Sequence, residues 1–358
     1  MSADFGRHPV GYFLAPLLAR HDRDRLAVVC YSGVMQEDDL TQRFRSQASG
    51  WRKIAGMSEA ALAEQVRADG IDILIDLAGH TAGNRLRAFA RRPAPVQATW
   101  LGYWFTTGLA AIDYALMDET TVPPGEERHF VETVIRLPSR FCYAPPAHAP
   151  EVGPPPLLAR GAPTFGSFNN LAKLTPEVAA LWARVLHAVP GARLVLKWAT
   201  LADPGRRRRI EEMFGSHAIA PERLDLRPRS EHAAMLAEYA DIDVALDPFP
   251  FTGGLTSCEA LWMGVPVVTL PGERPVSRQT LGFLDLVGLS DMLAARDADS
   301  YVAIAAGLVA DPERLAALRA GLRARMAASR LCDGPAFARE FEAALRGMWR
   351  TWCARAGR

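Results

Sequence analysis

Short apolar runs alternate with helical patterns along this chain, and that alternation restricts its fold more than any other feature. Runs rich in Val, Ile and Leu are typical of strands buried on both faces, and apolar residues three and four apart are typical of helices. Strands are predicted at 26–31, 71–77, 96–101, 112–117, 134–137, 164–168, 193–197, 224–227, 243–246 and 265–270. Helices are predicted at 58–69, 175–188, 204–214, 231–239, 256–263, 277–287, 298–309, 311–328 and 335–352. Such a series favours parallel sheets with helices on both faces.

Prolines divide this series into two halves. The stretch 144–163 carries so many prolines that neither a regular helix nor a central strand is expected there. A length of 358 residues also suits two domains better than one. We therefore predict an α/β chain with two doubly wound, Rossmann-like domains: an N-terminal domain at 1–150, a Pro-rich linker at 151–163, a C-terminal domain at 164–330 and a C-terminal helix at 331–358.

The N-terminal domain opens in an unusual way. Doubly wound domains begin with a strand, whereas residues 2–12 have the pattern of the loop and helix that follow one. We therefore expect the first sheet to lack its first strand within these 358 residues, and we favour a start of the domain further upstream.

The segment 247–271 carries the most specific functional signal in the chain. It joins the end of a predicted strand to a turn with two glycines, a short helix and another strand. Glycines before a helix let the backbone approach a ligand, and the helix start favours an anion. A carboxylate in the first turn of this helix would repel free phosphate, but it could accept hydrogen bonds from ribose hydroxyls. A nucleotide therefore fits this site better than free phosphate does. A well-capped structural turn explains the spacing about equally well. The candidate residues are Gly253, Gly254, Thr256, Ser257 and Glu259.

Three other side chains stand where α/β folds place their chemistry. His8 begins a predicted helix and could accept a proton or bond a sugar hydroxyl. His80 follows a glycine at the carboxyl end of a strand. Lys173 lies between a strand and a helix start, where it could neutralise a diphosphate leaving group. Each also has an ordinary interpretation: a helix cap, a turn histidine bonded to the backbone, and a solvated lysine.

Several motifs follow one another in the order of a known family. They are Ser-Ala-Asp-Phe-Gly-Arg-His-Pro-Val-Gly-Tyr at 2–12, Asp-Leu-Ala-Gly-His-Thr at 76–81, Arg-Pro-Ala-Pro-Val-Gln at 92–97, Leu-Gly-Tyr at 101–103, Phe-Asn-Asn at 168–170 and Pro-Gly-Glu at 271–273. Together with the 247–271 segment, they resemble the catalytic region of protein O-linked N-acetylglucosamine transferases and their SPINDLY-type plant relatives. Family members also carry tetratricopeptide repeats upstream, and no repeat of about 34 residues is present here. The resemblance implies the GT-B fold, in which two Rossmann-like domains face a cleft.

The resemblance also implies roles on the donor side. It makes Lys173 the residue that meets the donor phosphates, and it places Asn170 and His232 beside the nucleoside. Glu259 stands where animal members have an aspartate for the ribose, and this change keeps the carboxylate. The nucleobase stays open because two positions depart from the family pattern, with Met235 in place of an arginine and Leu255 in place of a threonine.

On the acceptor side, the resemblance identifies His8 as the invariant cleft histidine of the family. We therefore name His8 and Lys173 as catalytic residues, although a phosphate oxygen of the donor could replace His8 as the base. His80, with Thr81, is expected to contact the acceptor or the sugar.

The function implied is inverting, metal-independent transfer of N-acetylglucosamine from UDP-N-acetylglucosamine to Ser or Thr of proteins. We expect no cofactor or metal, because the Asp-x-Asp pattern at 241–243 leads into a buried strand and cationic groups surround the proposed phosphate site. Two alternatives stay open. One is GDP-fucose as the donor, as in the SPINDLY branch; the other is a non-catalytic remnant that binds a sugar nucleotide or a protein.

Composition excludes several other classes. The chain has 41 Lys and Arg against 40 Asp and Glu, so nothing indicates a general binder of nucleic acids or membranes. It has no apolar run of the roughly 18–20 residues that a membrane span needs, and no signal peptide at its start. The five cysteines are scattered, without zinc-site spacing. We expect a cytoplasmic protein.

Overall fold

A computed structural model of the protein describes residues 1–355 and 357. Its contacts group into two compact units: the first unit holds Met1–Ala144 together with the described residues from Arg330 onward, and the second unit holds Pro145–Ser329. The first unit contains α1 (Pro9–Arg20), β1 (Val29–Ser32), α2 (Asp39–Gln47), β2 (Gly50–Lys53), α3 (Glu59–Ala68), β3 (Ile73–Asp76), α4 (Leu86–Phe89), β4 (Val96–Thr99), β5 (Tyr114–Asp118), β6 (Thr133–Leu137) and α14 (Gly334–Arg355). The second contains α5 (Leu157–Arg160), β7 (Thr164–Ser167), α6 (Pro176–Ala188), β8 (Arg193–Lys197), α7 (Pro204–Gly215), β9 (Leu224–Arg227), α8 (His232–Ala237), β10 (Val244–Leu246), α9 (Leu255–Trp262), β11 (Val267–Val268), α10 (Gln279–Leu286), α11 (Ser290–Leu293), α12 (Ala298–Ala310) and α13 (Pro312–Ala327).

The second unit is built on one parallel sheet with the strand order β11-β10-β7-β8-β9. The chain runs outward from β7 to β8 and β9 and then returns to place β10 on the other side of β7. The order therefore reverses between β7 and β10, and such a switch point is where doubly wound sheets bind ligands. The loops that follow these two strands carry the predicted donor residues.

The helices of the second unit begin where the sequence supplies caps. Thr175 accepts the amide of the third residue of α6, and Pro176 occupies its first position. Asp203 and Pro204 do the same for α7, and Asp311 and Pro312 for α13. A short polar side chain at the N-cap satisfies an amide that the helix itself cannot pair, and proline is tolerated in the first turn.

The first unit contains two parallel sheets among its described residues, with the orders β1-β2 and β3-β4-β5-β6. Met1 and Ser2 lie between them and bond to both. Ser2 N–H donates to the carbonyl of Tyr31 at 3.1 Å, and the amino group of Met1 donates to the carbonyl of Ile75 at 2.8 Å. Two residues thus stand where an inner strand of a doubly wound sheet would run.

A largely apolar cavity of about 630 Å³ adjoins Met1. Its walls come from β1, β3, α1 and α14, and include Leu14, Leu17, Val29, Tyr31, Ile73, Ile75, Phe341 and Leu345. The amino group of Met1 is enclosed beside it, and this burial lowers its pKa. The interior of the first unit is therefore incompletely filled next to Met1, between the sheet β1-β2 and the sheet β3-β4-β5-β6.

The segment 151–163, predicted to be a Pro-rich linker, contains a short helix. These residues belong to the second unit, and they include helix α5. The buried carboxylate of Asp243 accepts the amide of Leu157, at the start of α5, at 3.0 Å and that of Thr164, at the start of β7, at 2.8 Å. Prolines prevent a long helix here, but they do not prevent an extended segment from packing against its own domain.

The C-terminal residues belong to the first unit, although they follow the second unit in the sequence. Helix α14 covers most of the predicted segment 331–358, of which residues 356 and 358 lie outside the described residues. It packs on α1, and the carboxylate of Glu342 accepts the amide of Asp22 at 2.8 Å. The chain therefore returns to its first unit after completing the second. No helix in the described part of the chain is long and apolar enough to cross a membrane.

Candidate functional site

Lys173 lies at the switch point of the second unit, in the loop that follows β7. Its ammonium donates to the carbonyl of Thr252 at 2.7 Å and lies 3.5 Å from the amide oxygen of Asn169. The ring of Phe251 is 4.1 Å away on another side. This enclosure removes water from the ammonium and lowers the pKa of Lys173 to about 8. The structure therefore brings the predicted lysine to the glycine turn after β10.

Asp247 is the buried carboxylate on which this turn is built. It directly follows β10 and accepts hydrogen bonds from the amide of Gly253 at 2.6 Å and the hydroxyl of Thr269 at 2.7 Å. Burial raises the pKa of Asp247 to about 6, and the nearby charge of Lys173 opposes that shift. The pair keeps a positive and a negative group close together in a site of low polarity, where an incoming anion would compete for the lysine.

Gly253 is required by the close packing of the turn. A Cβ atom at this position would lie 2.1 Å from Oγ of Ser257 and 2.9 Å from the carboxylate of Asp247. The hydroxyl of Ser257 instead bonds to that of Thr280 at 2.9 Å, so Ser257 supports the turn from inside the unit. Thr256 donates to the amide oxygen of Asn169 at 3.1 Å and so joins the loops after β7 and β10.

Glu259 is the buried carboxylate of α9, and its contact with a ribose stays a prediction. The Nε2 atom of His232 lies 2.8 Å from Oε1 of Glu259, so the two residues proposed for the nucleoside are in direct contact. The Nδ1 atom of His232 lies 3.0 Å from Nε2 of His148. Burial raises the pKa of Glu259, and the contact with His232 lowers it. The second unit thus contains both groups of predicted donor residues, one around Lys173 and one around Glu259.

Asn170, Met235 and Leu255 occupy the rim of this region. The side chain of Asn170 accepts the amide of Ala172 at 3.0 Å and caps the single turn that carries Lys173. Leu255 is the first residue of α9. Met235 lies in α8, the helix that begins at His232. The departures from the family pattern therefore fall on the two helices that hold His232 and Glu259.

In the first unit, His8 is the N-cap of α1. Its Nδ1 atom accepts the amide of Val10 at 3.3 Å, and half of the side chain is exposed. Asp4 lies 3.8 Å from the same nitrogen, and burial raises the pKa of Asp4. A neutral His8 that accepts at Nδ1 carries its proton on Nε2, so in this arrangement it offers a donor rather than a base.

His80 and Thr81 lie in the loop after β3. Buried Asp76 ends that strand and accepts the amides of Ala78 at 3.1 Å and Gly79 at 2.7 Å. Nε2 of His80 bonds to the carbonyl of Thr107 at 2.8 Å, and the hydroxyl of Thr81 donates to the carbonyl of Ala78. Both side chains have local structural partners, and contact with an acceptor stays a prediction.

The Asp-x-Asp pattern at 241–243 is engaged in packing. Asp241 forms ion pairs with Arg160 and Arg227. Asp243 receives the two backbone amides described above, and burial raises its pKa. Both carboxylates therefore have structural partners, and the pattern leads into the buried strand β10.

Sequence reasoning missed four residues of this region. Asp247 carried a usable signal, because a carboxylate that ends a buried strand just before a glycine turn is placed to bind that turn. Asn169 and Phe251 lie in the motifs at 168–170 and 247–271, but no role was assigned to either residue. His148 carried no signal, since its contact with His232 spans 84 positions of the chain.

A model of the family described as glycosyl transferase family 41 matches residues 1–146 and 157–341. The chain belongs to this family. It is 43% identical over 360 residues to a tomato (Solanum lycopersicum) protein named probable UDP-N-acetylglucosamine–peptide N-acetylglucosaminyltransferase SPINDLY. That match covers 99% of this chain and 38% of the tomato protein. The resemblance drawn from the motifs is confirmed, and the chain spans about 38% of the length of this curated relative.

Solved structures confirm the GT-B class. An O-GlcNAc transferase from Thermobaculum terrenum matches with a TM-score of 0.94 and 43% identity, over 99% of this chain and 68% of that one. Anabaena HepE, solved with UDP and glucose, matches with a TM-score of 0.58 over 97% of this chain and 98% of its own, at 12% identity. The second likeness concerns the fold alone.

Proposed function

We propose that this family 41 chain transfers N-acetylglucosamine from UDP-N-acetylglucosamine to Ser or Thr hydroxyls of proteins, with inversion and without a metal. The observation that carries this proposal is the ammonium of Lys173 beside the Gly253 turn, at the switch point of the second unit. A cation held there in a site of low polarity would stabilise the charge that develops on a departing diphosphate. The names of the tomato and Thermobaculum relatives support the choice of sugar and acceptor.

Inversion is supported by the state of the two buried carboxylates in this site. A double displacement would need a carboxylate that can attack the anomeric carbon. Asp247 is occupied by Gly253 and Thr269, and Glu259 by His232. In a single displacement, the acceptor hydroxyl attacks the anomeric carbon directly and the nucleoside diphosphate leaves. This reaction needs no carboxylate of the protein as a nucleophile. A phosphate oxygen of the donor would take the proton, with His8 as a hydrogen-bond donor.

The first test is nucleotide binding to the whole chain. UDP and UDP-N-acetylglucosamine should each raise the melting temperature, because a ligand at 100 times its Kd adds about 2.7 kcal/mol of stability. GDP and GDP-fucose belong in the same thermal-shift panel. A response to the guanine nucleotides alone would replace the donor assignment, and no response to any of the four would contradict glycosyl transfer by this chain.

Metal independence gives a second prediction. Transfer of labelled N-acetylglucosamine to an acceptor peptide should be unchanged by EDTA, because Lys173 supplies the charge that a metal supplies in other glycosyltransferases. Activity that disappears with the chelator and returns with Mn²⁺ would contradict this part of the proposal.

The pKa of Lys173 gives a third prediction. In the unliganded protein this pKa is about 8, and a bound diphosphate would raise it, so the complex holds more protons than the free protein. Affinity for UDP should therefore be constant near pH 7 and fall above pH 8, by up to about tenfold per pH unit. Calorimetric titration from pH 7 to 9.5 measures this slope. Lys173→Arg should bind with little pH dependence, since a guanidinium stays charged over this range.

A further inference from the structure

Glu259, His232 and His148 form a hydrogen-bonded row that runs from the interior of the second unit to its surface. Glu259 is buried, His232 is mostly covered and His148 is exposed. The contacts are 2.8 Å from Oε1 of Glu259 to Nε2 of His232 and 3.0 Å from Nδ1 of His232 to Nε2 of His148. Neither the motifs nor the family resemblance assigns a role to His148.

The positions of the protons follow from the partners. A buried carboxylate can only accept, so His232 donates to it from Nε2. A neutral His232 then has a lone pair on Nδ1, which accepts the Nε2 proton of His148. The row fixes the rotation of the His232 ring from both of its edges. It also directs Oε1 of Glu259 toward His232.

We propose that His148 is a positioning residue for the nucleoside part of the donor. It acts by holding His232, and through His232 the carboxylate of Glu259, in the arrangement that a ribose and a base require. This inference rests on the proposed function, because it takes Glu259 and His232 as the nucleoside site.

The geometry of the two rings supports this role. Their planes are 82° apart, with 5.0 Å between the ring centroids. The hydrogen bonds of His232 lie in the plane of its ring, so a base would meet that ring through a face. The ring of His148 stands nearly perpendicular and forms a side wall to that face. Loss of His148 would let the His232 ring turn and would remove the wall, while the chemistry at the diphosphate would be untouched.

The opposite role is also physically possible and predicts the opposite result. His148 could occupy the Nδ1 atom of His232 only in the free protein, in the place that an imino N–H of the base takes later. Removing His148 would then strengthen nucleotide binding, because the ligand would no longer have to displace it.

The test compares three variants with the unmodified chain: His148→Phe, His148→Gln and His187→Phe. Phenylalanine keeps a flat ring but cannot donate, whereas the amide of glutamine can donate to Nδ1 of His232. His187 is a matched control, because it is another exposed histidine of the same unit with a 2.8 Å bond from Nε2 to a carbonyl. Affinity for UDP and for GDP is measured by calorimetry, and KM and kcat are measured for UDP-N-acetylglucosamine.

His148→Phe should weaken the binding of the preferred nucleotide and raise the donor KM by about three- to tenfold, the value of one hydrogen bond. Its kcat should stay within about twofold, because the lost interaction does not involve the reacting atoms. His148→Gln should restore most of the affinity, and His187→Phe should match the unmodified chain. Unchanged or tighter binding by His148→Phe would overturn the inference, as would a loss confined to kcat. Failure of the unmodified chain to bind UDP or GDP would instead contradict the proposed function.

Discussion

Replacing Lys173 with alanine should lower sugar transfer about 100-fold or more and leave the fold of the second unit intact. The ammonium of Lys173 is enclosed by Thr252, Asn169 and Phe251, so its charge would act on a leaving diphosphate with little screening by water. Loss of one preorganised charge-stabilising group costs on the order of 100-fold or more in kcat. The measurement is kcat for transfer to a peptide, together with the circular dichroism and melting temperature of the variant.

A second buried lysine of the same unit provides the control for this result. Lys197 on β8 donates to the carbonyl of Pro228 at 2.7 Å and pairs with Glu238. Lys197→Ala should lower the melting temperature but keep kcat within about threefold, because its charge serves only the fold. A Lys173→Ala enzyme within about threefold of the unmodified rate would contradict the assignment of Lys173. Equal losses in the two lysine variants would show that stability, not charge at the diphosphate, controls the rate.

The sequence predicts the strands and helices that are well buried, and it misses those that are mostly exposed. Strand β8 at Arg193–Lys197 was predicted with the same limits, because four of its five residues are buried and apolar residues dominate it. Strand β2 at Gly50–Lys53 was not predicted, since it pairs only with β1 among the described strands and none of its residues is fully buried. Helix α2 was missed for a related reason: only Thr41 and Phe44 are buried in it, too few to produce an apolar period.

The same distinction applies to the candidate site. The two glycines could be predicted because strand ends, helix starts and glycine turns have local signatures, whereas the family resemblance was needed to select Lys173. The partners of Lys173 and of His232 were not predicted, since Thr252 is 79 positions from Lys173 and His148 is 84 positions from His232. Such pairs are brought together by the order of the strands in the sheet. The sequence predicts a doubly wound parallel sheet, but it does not predict the order of its strands. The sequence also allows His80 to be a turn histidine bonded to the backbone and His8 to be a helix cap, but only the structure shows which atoms they bond.

Extending the chain ahead of Met1 by four apolar residues, such as Val-Ile-Val-Ile, should raise the melting temperature of the first unit. Met1 and Ser2 already pair in parallel with β1 and β3, and the amides of Gly33 and Leu77 donate back to them. In a parallel ladder, alternate residues present their N–H and C=O to the same side. Continuing this register would therefore place the added residues opposite the backbone of Val29 and Ile73.

The residues that line the neighbouring cavity explain why the extension should be apolar throughout. Met1 packs with Ile54, Leu62 and Leu74 on one face of the sheet, and α1 and α14 line the cavity of about 630 Å³ on the other. A strand covered on both faces buries every side chain. Each buried Val or Ile is worth roughly 1.5–3 kcal/mol, against an ordering cost of about 1–2 kcal/mol per residue. The extension would also replace the buried amino group of Met1, whose charged form is disfavoured there, with a neutral amide.

We expect a net gain on the order of 2 kcal/mol, which corresponds to a rise of roughly 4–8 °C in Tm for a domain of this size. A Gly-Ser extension of equal length is the control, because it offers the same backbone without side chains to bury. Size-exclusion chromatography must show that both proteins have the same oligomeric state, and hydrogen exchange should slow at the amides of Tyr31 and Ile75 in the apolar variant only. If the two extensions melt at the same temperature, the cavity beside Met1 does not accept a strand. The two sheets of the first unit would then be stabilised by their helices rather than by a shared ladder.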